Sequence, residues 1–211
     1  MSSPCRLVVL ISGQGSNLQA IIDATQAADF PAEVVAVISN KAEAYGLQRA
    51  AAAGIPTQVV AHGNYADRAA YDQALMQAID GFQPDLVVLA GFMRILSDAF
   101  VHHYTQRLLN IHPSLLPRHK GLNTHQRALA AGDKQHGATV HFVTPSLDAG
   151  PIILQAAIDV HAEDTPASLA ERVHLLEHRL YPQAIRWFAE GRLRLRGDTV
   201  YLDDAPIDHR E

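Results

Sequence analysis

Asn110 and His112 stand one residue apart in the run Leu108-Leu109-Asn110-Ile111-His112-Pro113. Residues two apart on a strand face the same side, so the two side chains project together. A neutral imidazole can take a proton from an attacking amine. An amide beside it can donate to an oxygen that gains negative charge. The pair suits attack on a carbon at the carbonyl level. The bland alternative is a buried histidine with a satisfied asparagine neighbour. Further on, Ser146-Leu147-Asp148-Ala149-Gly150-Pro151 puts one carboxylate in a turn of small residues. That aspartate is either an Asx-type turn residue or, where it reaches His112, the group that fixes the ring's tautomer.

A second constellation is Gly13-Gln14-Gly15-Ser16-Asn17. It follows an apolar run and precedes a helical pattern. Two glycines let the backbone approach a ligand, and free N–H groups at a helix start attract an anion. No Gly-Lys-Ser/Thr follows, so this is not a P-loop. The third glycine of the dinucleotide fingerprint is missing, and the second strand ends in Ser39-Asn40-Lys41 rather than an acidic residue. A phosphomonoester fits better; the alternative is a plain tight turn. Twelve histidines are many for this length. Neither His102-His103 nor His119, His125, His136 and His141 show metal-ligand spacing, so no metal is expected. His141, in an alternating strand, is a candidate for the His112 site. Cys5 has no nearby motif and reads as inert. No Gly-x-Ser-x-Gly elbow is present, which excludes that hydrolase chemistry.

These residues need a scaffold. Residues 7–12 (LVVLIS), 34–39 (VVAVIS) and 86–90 (LVVLA) are continuous apolar runs, the signature of strands buried on both faces. Residues 57–60 and 108–112 read as further strands. Between them, helices are expected from Leu18 with Ser16 or Asn17 as N-cap, over 42–53 closed by Gly54, over 65–79, and over 97–104 capped by Ser97. This rhythm predicts an α/β fold with a doubly wound, mostly parallel, Rossmann-like sheet. Ligands then bind beyond the carboxyl ends of the strands. Residues 113–120 are too proline-rich for a regular element. Residues 138–144 and 152–160 look like an antiparallel extension. Residues 166–190 read as one long helix kinked or interrupted at Tyr181-Pro182, and 192–202 as a terminal hairpin around Gly197-Asp198.

The chain has 211 residues with 17 Lys+Arg and 22 Asp+Glu, a net charge of −5. That balance argues against a nucleic-acid partner. Hydrophobic residues are 48% and charged residues 18%, which excludes a disordered chain. The apolar runs are too short for a membrane span. One cysteine excludes a disulfide scaffold, and the N-terminus reads as mature cytoplasmic chain. The expectation is one domain over 1–211, with a phosphate-binding half (7–112) and a half carrying the catalytic loop and long helix (113–211).

The motifs VVLISGQGSNLQAII, VISNKAEAYGLQRA, VVLAGFMRIL, LLNIHPSLLP and HGATVHFVTPSLDAGPIILQ resemble the monofunctional, folate-dependent phosphoribosylglycinamide formyltransferase family of the formyltransferase superfamily. The resemblance runs from about Leu7 to Leu202. It implies formyl transfer from 10-formyltetrahydrofolate, as co-substrate, to the amine of glycinamide ribonucleotide in purine biosynthesis, by direct attack and a tetrahedral intermediate. It implies Asn110, His112 and Asp148 as the catalytic trio. It implies substrate contacts at Gly15, Ser16, Asn17, His174 and Glu177. Folate contacts are implied at Arg68, Met93, Arg94, Ile95, Leu96, Asn110, Thr144, Leu147 and Asp148. It implies a cytoplasmic monomer or homodimer acting on small molecules. The family commonly has Gln where this chain has His174, and often His at Asn123. The rival readings are another folate-dependent formyl transfer or hydrolysis, and a non-catalytic nucleotide-sugar-binding module.

Overall fold

The computed structural model describes residues 3–207. Residues 1–2 and 208–211, the ends of the expected single domain, lie outside them. The chain divides into two compact units that meet between Asn110 and Ile111.

The first unit is a five-stranded parallel sheet in the order β3-β2-β1-β4-β5. Its strands are β1 (Cys5–Ile11), β2 (Ala32–Ser39), β3 (Thr57–Val59), β4 (Leu86–Leu89) and β5 (Leu108–His112). Leu7, Val8, Val9, Leu10 and Ile11 have no solvent exposure, nor do Leu86, Val87 and Val88. Each such aliphatic side chain contributes about 1.5–3 kcal/mol on burial. The helices are α1 (Ser16–Thr25), α2 (Gly46–Ala52), α3 (Arg68–Asp80) and α4 (Asp98–His103). From β1 the chain winds outward to β2 and β3, then returns to add β4 and β5 on the other side. The order therefore reverses between β1 and β4, and sheets of this kind take ligands at such a point, beyond the strands' carboxyl ends.

The helix starts differ from expectation in instructive ways. Helix α1 is capped by Gly15 in the left-handed conformation, with no side-chain cap from Ser16 or Asn17. Helix α2 begins at Gly46, not at residue 42, and the Gly46 N–H donates to the Gly13 carbonyl. Helix α3 begins at Arg68 because the Asp67 side chain accepts from the Ala70 N–H. Residues 65–67, its expected start, are instead a bend that follows a 3-10 turn, His62–Asn64. Helix α4 has the expected Ser97 cap.

The second unit pairs β6 (Gln135–Phe142) antiparallel with β7 (Ile152–Asp159). The parallel sheet and this pair give the mostly parallel α/β class. A short helix, α5 (Thr124–Ala130), was not anticipated in the sequence. Helix α6 (Pro166–Ala189) packs on β6 and β7 and starts with a Thr165–Ser168 capping box. It runs through Pro182 without interruption. Pro182 removes one helical hydrogen bond, but Leu180, Tyr181, Ala184 and Ile185 around it are buried and hold the helix in place. Strands β8 (Leu193–Arg196) and β9 (Thr199–Leu202) form the terminal hairpin, extended by β10 (Ala205–Pro206). Among the described residues no helix is long and apolar enough to cross a membrane.

Candidate active site

In the first unit, two segments follow the strands that flank the switch point. After β1 comes the glycine loop. Gly15 has φ +72°, and a Cβ there would lie 2.7 Å from the Gly46 Cα. Glycine is thus needed both for the left-handed turn and for the approach of α2. The turn delivers Ser16 and Asn17 as the first residues of α1, so backbone N–H groups of the first turn face the loop, where an anion is favoured. After β4 comes the irregular strip Gly91–Leu96. It exposes Met93 (67%) and Ile95 (62%), while Leu96 turns inward. Large apolar side chains held in water beyond the ends of the strands offer a surface that a flat ligand could cover. Arg94 lies with its guanidinium 5.1 Å from the Tyr71 ring centroid. Arg68 is exposed at the first position of α3.

In the second unit, the geometry centres on Asp148. Its Oδ2 is 3.5 Å from His112 Nδ1, and its Oδ1 is 4.0 Å from His141 Nε2. The Gly121 N–H donates to Oδ2 at 2.8 Å. The Asp148 side chain is only 9% exposed, so this carboxylate has exchanged water for one amide and two imidazoles. The residue has φ +45°, a left-handed conformation that aspartate tolerates better than most. His112 Nε2 lies 2.9 Å from the His119 carbonyl. A carbonyl only accepts, so Nε2 carries the hydrogen and the Nδ1 lone pair of the neutral ring faces the carboxylate. His141 Nδ1 likewise donates to the Phe142 carbonyl at 2.8 Å, and burial lowers its pKa despite the opposing pull of that carbonyl and of Asp148.

The structure therefore brings Asp148 to His112, and Asn110 lies two residues before His112 on β5. His174 is exposed on α6, 3.9 Å from Glu177, whose carboxylate lies in the buried stripe of that helix. Glu177 is thus an acid set among the buried Leu169, Val173 and Leu180, a position that carboxylates seldom occupy. Thr144 is half-buried, and Leu147 is exposed in the loop that carries Asp148.

Of the supporting residues, sequence reasoning offered only His141 for this site, and it lies against Asp148; it gave the others no role. His119 binds Asp133 at 2.6 Å through Nε2, and His125 Nδ1 lies 3.1 Å from His136 Nε2. The signal was the density of histidines after residue 112, which spacing rules for metals could not interpret. Among the described residues no group of three or more His, Cys, Asp or Glu could hold a metal. Burial and the thiol's neighbour Asp85 push Cys5 up to about 12, which leaves it protonated and unreactive.

His136 carries a consequence for stability. Burial, then the neighbouring His125 and His119, lower its pKa from 6.5 to about 4. Between these values the unfolded chain binds a proton that the folded chain does not. Stability therefore falls as pH drops from about 6.5 towards 4 and levels off below that. Thermal midpoints at pH 7 and pH 4.5 are expected to differ less in His136→Gln than in the wild type. An equal drop in both would remove His136 as a source of acid sensitivity.

A doubly wound α/β unit with a glycine loop ahead of its first helix is joined in the chain to a buried His–Asp pair, an arrangement suited to group transfer. The formyl transferase family matches residues 5–185, and this chain belongs to that family. Phosphoribosylglycinamide formyltransferase of Escherichia coli (strain K12) is 55% identical over 93% of this chain and 93% of its own. The protein of the same name from Haemophilus influenzae is 48% identical over 94% and 93%. Among solved structures, phosphoribosylglycinamide formyltransferase from Coxiella burnetii, in complex with CHES, superposes with a TM-score of 0.94 at 52% identity, covering 98% of this chain and 99% of that one. Glycinamide ribonucleotide transformylase 1 from Symbiobacterium toebii gives 0.93 at 46%, covering 96% and 95%.

Proposed function

We propose that this chain transfers the formyl group of 10-formyltetrahydrofolate to the amine of glycinamide ribonucleotide, a step of purine biosynthesis. The buried His112–Asp148 pair carries this reading. The folate supplies an activated formyl carbon. When the amine adds, negative charge grows on the formyl oxygen and positive charge on nitrogen. A formyl oxygen that replaces the His119 carbonyl at Nε2 meets the same N–H donor, with the Asn110 amide as a second. A proton taken up at Nδ1 lands between the ring and Asp148, which stabilises the imidazolium formed. Water or Asp148 then returns the proton to the departing folate nitrogen.

We assign the ribonucleotide phosphate to Gly15, Ser16 and Asn17, and its sugar region to His174 and Glu177. Folate contacts are assigned to Arg68, Met93, Arg94, Ile95, Leu96, Thr144 and Leu147, with Asn110 and Asp148 at the reacting end. The exposed apolar Met93, Ile95 and Leu147 support this assignment. A net charge of −5 supports small-molecule partners rather than nucleic acid. The enzyme works in the cytoplasm as a monomer or homodimer.

The decisive experiment follows tetrahydrofolate formation by absorbance with both substrates, and with each omitted. Turnover that requires both is expected. Deformylation at the same rate without the ribonucleotide would establish hydrolysis instead. Within this assay Arg68→Ala is expected to raise the folate KM about twofold with kcat unchanged, because an exposed ion pair contributes only about 0.5 kcal/mol. A large fall in kcat would place Arg68 elsewhere.

A further inference from the structure

The irregular strip that thrusts Met93 and Ile95 into solvent is held at both ends by buried side chains from other elements. At its start, the Met93 N–H donates to Ser12 Oγ at 2.8 Å. The Ser12 hydroxyl donates in turn to Asn40 Oδ1 at 2.6 Å. Ser12 follows β1 and Asn40 follows β2, and both are buried. At its end, the Ser97 N–H donates to Asp72 Oδ2 at 2.6 Å. Asp72 lies on α3 and is 2% exposed. Between these points the Arg94 guanidinium lies over Tyr71, the residue next to Asp72.

This arrangement is costly for the sequence to maintain. An uncompensated buried carboxylate loses several kcal/mol of hydration, so Asp72 persists only because it is bonded there. Ser12 uses its hydroxyl as donor and acceptor at once. Both groups act on backbone amides of a segment without regular hydrogen bonding, which would otherwise let its apolar side chains fold inward. Capping of α4 alone explains Asp72 but not the Ser12–Asn40 relay at the other end.

We propose that Ser12, Asn40 and Asp72 are positioning residues for folate recognition: they fix the backbone of residues 93–97 so that Met93 and Ile95 stay presented to the pterin. This rests on the assignment of that strip to the folate. The residues touch no reacting atom. Their loss therefore weakens folate capture rather than the chemical step.

The test compares wild type with Ser12→Ala, Asn40→Ala, Asp72→Ala and Asp72→Asn. Calorimetry with tetrahydrofolate and with glycinamide ribonucleotide, separately, reads the two binding equilibria. Each alanine variant is expected to weaken tetrahydrofolate about tenfold, one charge-assisted or two ordinary hydrogen bonds' worth. Ribonucleotide affinity stays within about twofold, and the folate KM rises more than kcat falls. Asp72→Asn keeps an accepting oxygen and recovers affinity to within about threefold of wild type. Hydrogen exchange of residues 93–97 is expected to quicken in the alanine variants without any ligand. Unchanged folate affinity, equal weakening of both ligands, or undiminished amide protection would each overturn the proposal. Should Asp72→Ala fail to fold, Ser12→Ala and Asn40→Ala give the same readouts. A wild type that binds no tetrahydrofolate would sink the transferase reading and the folate role with it, while amide exchange would still show whether these side chains hold the strip.

Discussion

Asp148→Asn is expected to lower kcat by about a hundredfold to a thousandfold while changing either KM by less than about threefold. The substitution is conformationally mild. Residue 148 has φ +45°, and asparagine adopts the left-handed region as readily as aspartate. The amide oxygen can still accept from the Gly121 N–H, which now meets Oδ2 at 2.8 Å. What disappears is the negative charge 3.5 Å from His112 Nδ1, and with it the stabilisation of an imidazolium. The ribonucleotide and folate contacts assigned elsewhere survive, so binding holds and proton movement suffers. Asp148→Ala would confound this by adding backbone strain and an unbonded Gly121 N–H. Steady-state kinetics of both substrates decide the point: near-normal turnover in Asp148→Asn would remove the carboxylate from the chemistry.

The parts of the site that were legible in the sequence are those set by local rules. The run Leu108-Leu109-Asn110-Ile111-His112 reads as a strand because it is apolar and Pro113 stops it, and β5 has those bounds. The same alternation puts Asn110 and His112 on one side. The glycine turn before α1 was legible because two glycines stand between an apolar run and a helical pattern, although its cap was misassigned. Gly15 takes the left-handed turn, so the helix begins at Ser16 without needing a side-chain cap. The start of α2 was misplaced for a different reason. Alanine propensity is uniform over residues 42–53 and sets no start. The Gly13–Gly46 backbone contact sets it instead.

What was illegible is long-range. Nothing in the spacing of His112, Gly121, His141 and Asp148 says that one carboxylate will meet all three. That depends on the β6–β7 register, in which Val140 pairs with Leu154 and His141 with Ile152 across a shift. The buried Asp72 is a sharper case. On helix α3 it reads as an ordinary solvated acid, and only the path of the strip after β4 gives it an amide to bind. Helix α5 escaped because seven residues hold too little periodicity to stand out.

Gly150→Ala is expected to destabilise the protein by about 4 kcal/mol or to prevent folding, the range reached when a side chain is forced into packed backbone. Gly150 lies two residues after Asp148, where the loop returns to β7. A Cβ on it would overlap the Phe142 carbonyl oxygen, and that is backbone which cannot rotate away. The strands cannot simply part there, because the Phe142 N–H donates to the Pro151 carbonyl at 3.0 Å. Relief must come from moving the loop, which carries Asp148 away from His112. Any folded fraction is therefore expected to lose turnover as Asp148→Asn does, while ribonucleotide binding, assigned to Gly15, Ser16 and Asn17, persists. Gly54→Ala supplies the control. Gly54 has φ +72° but no atom within 4 Å of its would-be Cβ, so it costs only about 1 kcal/mol of left-handed strain. Denaturant unfolding of the two variants separates steric overlap from backbone strain. Equal, small losses would mean that the Asp148 loop is free to shift, and that glycine at 150 serves the turn rather than the placement of the carboxylate.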